Sequence, residues 1–389
     1  MSETVRFMAV GDINVQRPDP LTLFGDVGPV LSAADVLIGN QEGVVSDRGT
    51  ALLGKKELGS SCVRGAGESV RPLAKVGFHV MSLANNHGMD FGAEALTHSM
   101  ELFRDAGIQT VGAGDDASAA HAPAVVTRGG VRIAVLAYTS VFPPFGYAAT
   151  ATGPGLAVVR ASTAYETPSN VPYQPGTPAT TITIPNPDDV AAVEDDIRRA
   201  RLEADLVVVL FHWGVVGLTR PPGYCRELGR CAVDAGADLV LGHHPHVLQG
   251  VEFYRDRLIC YSLSHFAFEH AGHGFPESWP YVHDTVIFGA SVIGGRIADP
   301  GFLAVTMDPA THDLSMSGPQ RRADLAAHLT LLSAEFGTEF VLDGDRLVPI
   351  PPAEAVAAPR GPAAYRDPSS VTLDAQAVLA KAAKAASAD

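Results

Sequence analysis

No stretch of the chain approaches the ~18 consecutive apolar residues that a membrane helix requires. Its first ten residues, MSETVRFMAV, have neither the basic start nor the apolar centre of a secretory signal. Both absences predict a cytoplasmic protein with no membrane partner. Cysteine is scarce: Cys62, Cys225, Cys231 and Cys260 form no CxxC pair. That spacing argues against a zinc cluster made of cysteines and predicts buried thiols in a reducing compartment. Basic side chains are also few, 28 against 43 acidic ones, which leaves a formal net charge of -15 with no offsetting Lys/Arg cluster. Such a surface repels nucleic acid and anionic lipid, so a polyanion partner is not expected. Hydrophobic residues at 46% and charged residues at 18% give a globular rather than a disordered composition. The length suits one large domain or two ordinary ones.

Short apolar runs alternate with helix-like stretches, the pattern of an α/β protein whose sheets are covered. Strands are expected at Val5–Val10, Val36–Ile38, His79–Leu83, Thr110–Gly112, Val131–Tyr138, Leu206–Phe211, Leu239–Leu241 and Leu258–Ser262. Helices are expected at Gly92–Ala106, Asp188–Ala204 and Tyr224–Ala235, the first ending at Gly107 and the second opening on an Asp-Asp pair. Pro/Gly/Thr-rich sequence at about 141–187 is too long for an ordinary loop and predicts a mobile lid or substrate-binding insertion. Another irregular segment, His270–Asp284, is rich in aromatic residues and histidine. A main domain over 1–320 is expected, followed by an extension over 321–389: a helix (Arg321–Phe336), a hairpin in TEFVLDGDRLVPI, a linker (Pro351–Pro362) and a terminal helix (Thr372–Ala386).

Polar residues suited to metal binding recur just after the expected strands. The first strand leads into Gly11-Asp12-Ile13-Asn14, the second into Gly39-Asn40-Gln41-Glu42 and the third into Asn85-Asn86-His87-Gly88-Met89-Asp90. Later strands lead into His212-Trp213-Gly214, Gly242-His243-His244-Pro245-His246 and Leu263-Ser264-His265-Phe266. In α/β sheets the carboxyl ends of strands converge on one crevice, so groups distant in sequence meet there. Carboxylate, amide and imidazole together suit a borderline divalent cation such as Mn, Fe or Zn. A lone histidine after a strand is usually a core or surface residue; polar strand ends recurring in this order along the chain are not a coincidence.

The ordered set GD-x-N, N-x-E, NNH-x-x-D, HWG, GADLVLGHHPHVLQG and YSLSHF resembles the CapA-like family, named for poly-γ-glutamate capsule synthesis, over roughly residues 5–270. That family lies within the calcineurin-like metallophosphoesterase superfamily. The resemblance implies a two-sheet β-sandwich flanked by helices (α-β-β-α) with a two-metal centre on one edge. It implies metal ligands at Asp12, Asn14, Glu42 (bridging), Asn86, His212, His244 and His246, with His87 as proton donor. Asn14 stands where the superfamily has a histidine, which weakens one of the two metal positions. After the last strand the family usually has Ser-Leu-Gly-Asn-Phe; here Ser264-His265 replaces Gly-Asn and puts a titratable imidazole where an amide would sit.

Three functions follow as expectations. The foremost is epimerisation of a peptide residue, as in enzymes resembling this family that invert the C-terminal residue of lasso-peptide precursors. The metals would stabilise an enolate, His87 and His265 would each serve one face of the α-carbon, and Asp12 or Asp90 would orient them. The alternative is hydrolysis of a phosphoester, an amide or a poly-γ-glutamyl bond by metal-activated water. A metal-retaining binding module is the third. For the first, a precursor peptide is the expected partner, docked against the insertion and the aromatic segment Phe266–Tyr281.

Overall fold

Alternate residues of the apolar strands face different cores, which explains why the strands read as unbroken hydrophobic runs. The computed structural model describes residues 4–353 apart from 18, 59, 270–275 and 277. Val5, Phe7 and Ala9, with Val36, Ile38 and Val80, share one core with Ile133, Val135, Leu206, Val208, Leu239 and Leu241 of a second sheet. The intervening Val10, Leu37 and Met81 turn outward onto Leu31, Leu73, Leu96 and Phe103 of flanking helices. On the far side Leu136, Val207, Val209 and Val240 lie under Ile197, Leu228 and Ala232 of other helices. The result is the expected helix–sheet–sheet–helix sandwich.

The larger sheet has ten strands. Its path runs Glu339–Asp343, Arg346–Ile350, Arg296–Met307, Asp284–Ile293, Val5–Asn14, Val36–Gln41, Val80–Ser82 and Gln109–Val111, with His265–Phe268 and Leu314–Met316 pairing off it. The second sheet has six strands, in the order Val251–Tyr254, Arg257–Cys260, Leu239–His243, Leu206–His212, Val131–Thr139 and Ala124–Arg128. Val5–Asn14, Val36–Gln41 and Val80–Ser82 are parallel neighbours, as are Val131–Thr139, Leu206–His212 and Leu239–His243. Their carboxyl ends therefore open on one edge of the sandwich.

All three expected helices form. Gly92–Asp105 buries Ala95, Leu96, Ser99 and Phe103 along one stripe. Pro187–Glu203 is capped by Asn186, whose side chain accepts from the backbone N–H groups of Asp188 and Asp189. Gly223–Ala235 ends at Gly236, with φ of 120°.

Three expectations need correction. No boundary falls at 320: Leu325 and Leu329 of the helix Pro319–Ser333 enter the inter-sheet core, and Arg346–Ile350 pairs with Arg296–Met307. The extension carries edge strands of the main sheet, a long-range pairing that a local reading cannot see. The stretch 141–187 is not one mobile lid. Tyr147, Leu156, Ala157 and Val159 are buried, and Gly155–Leu156 pairs with Ala113–Gly114. The hairpin of Ala161–Glu166 and Thr180–Pro185, with its connecting turn, leaves Tyr165 72% and Tyr173 86% exposed. Its apolar residues fill core positions without helical or strand periodicity. His270–Asp284 is not irregular to its end, since Asp284 opens a strand; residues 270–275 and 277 lie outside the described residues. The helix expected at Thr372–Ala386 and all but the start of the Pro351–Pro362 linker also lie outside them.

The two sheets are joined where the chain crosses from Arg257–Cys260 in one to His265–Phe268 in the other. This crossing lies against two glycines that precede the metal-type motifs. A Cβ on Gly11 would come within 2.0 Å of the Ser264 carbonyl oxygen, and one on Gly242 within 1.9 Å of the Tyr261 carbonyl oxygen. Both contacts are with backbone, which cannot swing aside as a flexible side chain can. Gly11→Ala and Gly242→Ala should therefore each destabilise the fold by about 2 kcal/mol or more. Denaturant midpoints compared with an exposed control such as Gly318→Ala, where an added Cβ meets nothing and φ is -69°, measure this; unchanged midpoints would mean that the seam is loosely packed.

Candidate metal centre

Asp12 leaves the Val5–Asn14 strand fully buried, and its carboxylate is fixed by two donors. Asn40 Nδ2 donates to Oδ1 at 2.8 Å and the His244 backbone N–H donates to Oδ2 at 3.0 Å. Glu42 follows the next strand, also with no exposure. No hydrogen-bond donor among the described residues reaches either of its carboxylate oxygens. Instead, three imidazole Nε2 atoms surround Glu42 Oε1: His246 at 3.5 Å, His87 at 3.7 Å and His212 at 3.9 Å. His244 Nδ1 lies 3.1 Å from His212 Nε2, and Asn86 Oδ1 lies 2.7 Å from that same nitrogen. His246 Nδ1 lies 3.6 Å from Asp12 Oδ2.

His244 and His246 reach the site from successive turns of a short loop after Leu239–His243. Both adopt left-handed backbone conformations, with φ of 95° and 56°. A non-glycine residue pays for that conformation in strain, which persists where the surroundings enforce it.

These atoms form two overlapping ligand groups, Glu42–His212–His244 and Asp12–Glu42–His246, each with its candidate atoms within 4.8 Å of one another. Glu42 belongs to both, so its carboxylate is suited to bridging. Electrostatics fits a cation. Burial and then the neighbouring Glu42 charge push Asp12 up to about 8, and burial pushes Glu42 up to about 7. Burial holds His212 and His244 well below the ordinary histidine value, with neighbouring imidazoles adding to the shift, and lowers His246 too. Neutral imidazoles facing two carboxylates that resist ionising together form a donor set short of positive charge.

His87 borders this cluster. Its Nδ1 lies 2.6 Å from Asp90 Oδ2, an arrangement in which the ring donates to the carboxylate and turns Nε2 toward Glu42. Burial alone would raise the Asp90 carboxyl, but its hydrogen bond to His87 and the adjacent Lys55 charge bring it below the ordinary value.

Asn14 and His265 also stand outside the ligand groups. Asn14 donates through Nδ2 to the Glu42 carbonyl at 2.6 Å and lies 3.4 Å from Gln16 Nε2 through Oδ1, so its amide braces the loop that carries Glu42. His265 is 1% exposed, with Nδ1 3.0 Å from the His246 carbonyl oxygen and its ring centroid 5.9 Å from that of His246. Burial pushes its imidazole down to about 3.

The sequence reading missed several supporting residues. Asn85 donates to the Gln41 carbonyl at 2.7 Å and accepts from the N–H groups of Gly43 and His87, clipping the Glu42 loop to the His87 loop. Asn40 braces Asp12 as described above, and His243 Nε2 lies 3.3 Å from the Val10 carbonyl oxygen across the seam. Lys55 and Tyr147 both reach Asp90. The strand-end position was a usable signal for Asn40, Asn85 and His243. Nothing local marks Lys55 or Tyr147.

The chain belongs to the bacterial capsule synthesis protein family PGA_cap, whose profile matches residues 6–270. The PGA biosynthesis protein CapA of Bacillus subtilis is 32% identical over 267 residues, covering 68% of this chain and 60% of that protein. The capsule biosynthesis protein CapA of Bacillus anthracis is 31% identical over 300 residues, covering 74% of this chain and 63% of that protein. This chain thus spans about three fifths of the length of these curated relatives. The uncharacterized protein y4sH of Sinorhizobium fredii is similar over a larger share, 25% identical across 85% of this chain and 82% of its own. Among solved structures, a Mycoplasma pneumoniae phosphatase aligns over 81% of this chain and 92% of its own, with a TM-score of 0.42 and 13% identity. No helix among the described residues is long and apolar enough to cross a membrane.

Metal should bind with release of protons near neutral pH, because it displaces those that the Asp12–Glu42 pair otherwise shares. Calorimetric titrations in buffers of different ionisation enthalpy measure that release. Glu42→Ala and His246→Ala should each reduce bound metal, and chelation should lower Tm. At a free metal concentration of a hundred times Kd the stabilisation is about 2.7 kcal/mol. Full metal content in both variants would remove these residues from the ligand set.

Proposed function

We propose that this chain is a metal-dependent enzyme in which His87 moves a proton at a peptide carbonyl, and that its reaction is hydrolysis of an amide bond. The observation that carries this reading is the His87–Asp90 pair, which presents Nε2 to the Glu42–His212 cluster. Asp12, Glu42, His212, His244 and His246, with Asn86 beside them, would hold a divalent cation, which would supply Lewis acidity and lower the pKa of water. His87 takes a proton at Nε2 from the attacking water and passes it to the leaving nitrogen as the C–N bond breaks, and the water oxygen stays in the new carboxylate. Asp90 holds the Nδ1 proton throughout and stabilises the ring while it is charged. Two relatives are named for PGA biosynthesis and for capsule biosynthesis, and the family resemblance reads PGA as poly-γ-glutamate, an amide-linked polymer, which supports amide chemistry. The net charge of -15 disfavours a long polyanion, so a short peptide is the better substrate.

Hydrolysis needs one proton-transfer group at the leaving atom, whereas inversion of an α-carbon needs two on opposite faces. His265 sits behind His246 against main chain, which favours the one-group reaction. Inversion at the C-terminal residue of a precursor peptide remains the second reading. It is favoured by an imidazole at this strand end, beside His246, together with the resemblance to lasso-peptide epimerases.

Incubating the metal-loaded protein with peptides in deuterated and in ¹⁸O-labelled water tests both readings. Hydrolysis yields a new amine and ¹⁸O in a carboxylate; inversion yields deuterium at an α-carbon and a D-residue. Neither product across a peptide panel would sink both. A second comparison uses His265→Asn with metal content checked in parallel. Hydrolysis should change little, within about threefold, whereas a proton-transfer role would cost about 10²–10⁴ in rate.

A further inference from the structure

We infer that Lys55 and Tyr147 are positioning residues that lock Asp90, and through it the His87 ring, so that the insertion is wired directly into the proton-transfer group. The inference rests on the reading of His87 given above.

Asp90 has no exposure and receives two donors on each oxygen. Tyr147 Oη donates to Oδ1 at 2.6 Å and Lys55 Nζ to Oδ1 at 2.5 Å. The Val63 N–H donates to Oδ2 at 2.6 Å, and His87 Nδ1 completes the set at 2.6 Å. A carboxylate held on both oxygens cannot rotate, so the ring bonded to it keeps its tautomer and its direction.

The donors come from three places. Val63 is backbone, Lys55 rides on the short helix Leu53–Glu57, and Tyr147 lies in the first part of the stretch 141–187. Lys55 is 3% exposed and Tyr147 1% exposed, so neither reaches outward to a substrate. Lys55 Nζ also donates to the Asn86 carbonyl at 2.5 Å and stands 2.9 Å from His87 Nδ1. It thereby ties Asp90 to the backbone of the residue whose amide meets His212. Burying an ammonium costs several kcal/mol unless it is paired and hydrogen-bonded. Lys55 meets that condition by bonding both the Asp90 carboxylate and the Asn86 carbonyl, so one charge secures the carboxylate and the His87 loop together.

Tyr147→Phe removes one hydroxyl, and Lys55→Met removes the charge at similar volume. Both should lower kcat by about 10–10²-fold, as loss of alignment does, with KM and metal content unchanged. The decisive readout needs no substrate: imidazole ¹⁵N signals of the zinc-loaded full-length protein, with His87 assigned by comparison with His87→Gln. The native protein should show a single His87 tautomer protonated at Nδ1, and Tyr147→Phe a mixture or the other tautomer. If Lys55→Met does not fold, Tyr147→Phe decides alone. His87 signals identical to the native ones in folded Tyr147→Phe overturn the inference, even if kcat falls. If no peptide is turned over by the native protein, the proposed function fails while the signals still judge the positioning role.

Discussion

Two carboxylates, Asp12 and Glu42, are held entirely out of water where the two sheets meet, and the rest of the site is arranged around that fact. Each buried charge carries a desolvation penalty of several kcal/mol, and two together repel each other as well. Asp12 is partly compensated by Asn40 and the His244 N–H, but among the described residues Glu42 receives no hydrogen bond and has imidazoles and the Asp12 carboxyl around it. Burial keeps His212 and His246 among them neutral. Protons offset the charge only by making the carboxylates poor ligands. A divalent cation does so while using every donor present, which is why the cluster reads as a metal centre and not as a buried polar core.

Such a cluster assembles only if the sheets approach closely at their carboxyl ends. Gly11 and Gly242 permit that approach by leaving room for the crossing at Tyr261–Ser264. The Asp12 N–H donates to the Ser264 carbonyl at 3.1 Å, and the Leu263 N–H donates to the Gly242 carbonyl at 3.1 Å. The same crossing positions His265 and its contact with the His246 carbonyl. Left-handed backbone at His244 and His246 is tolerated because bonds on both sides of the loop hold it. Fold and site are thus one piece of packing: the glycines set the distance, and the distance brings the ligands together.

Much of this was legible in the chain because parallel strands buried on both faces leave an unmistakable pattern. Val5–Asn14, Leu206–His212 and Leu239–His243 begin where apolar runs begin and end in polar motifs, so the strands and their site residues were found together. The long antiparallel pair Asp284–Ile293 and Arg296–Met307 escaped notice, because Gly289, Gly294, Gly295 and Gly301 break its hydrophobic rhythm. The pairing of Arg346–Ile350 with that hairpin depends on distant partners and on no local signal. Lys55 was invisible for a related reason. A lysine in a loop-like stretch ordinarily faces solvent, and only the tertiary fold turns it inward onto Asp90.

The difference between His87 and His265 shows how far residue type alone can carry a mechanism. His87 lies in the loop after Val80–Ser82 and His265 opens the strand His265–Phe268, and the epimerisation reading paired the two as proton-transfer groups. Their surroundings separate them. His87 is bonded at Nδ1 to an ionised carboxylate, and its other nitrogen faces the ligand cluster. His265 is bonded at Nδ1 to a main-chain carbonyl, and its ring packs against His246 and Phe268. A carboxylate partner stabilises an imidazolium as it forms, so it favours a ring that gains and loses protons. A carbonyl in a dry setting offers far less compensation and favours a ring that stays neutral, as the fall of His265 to about 3 reflects. His265 therefore bears first on the loop that carries His246, through that carbonyl, and any part it takes in chemistry passes through that candidate ligand.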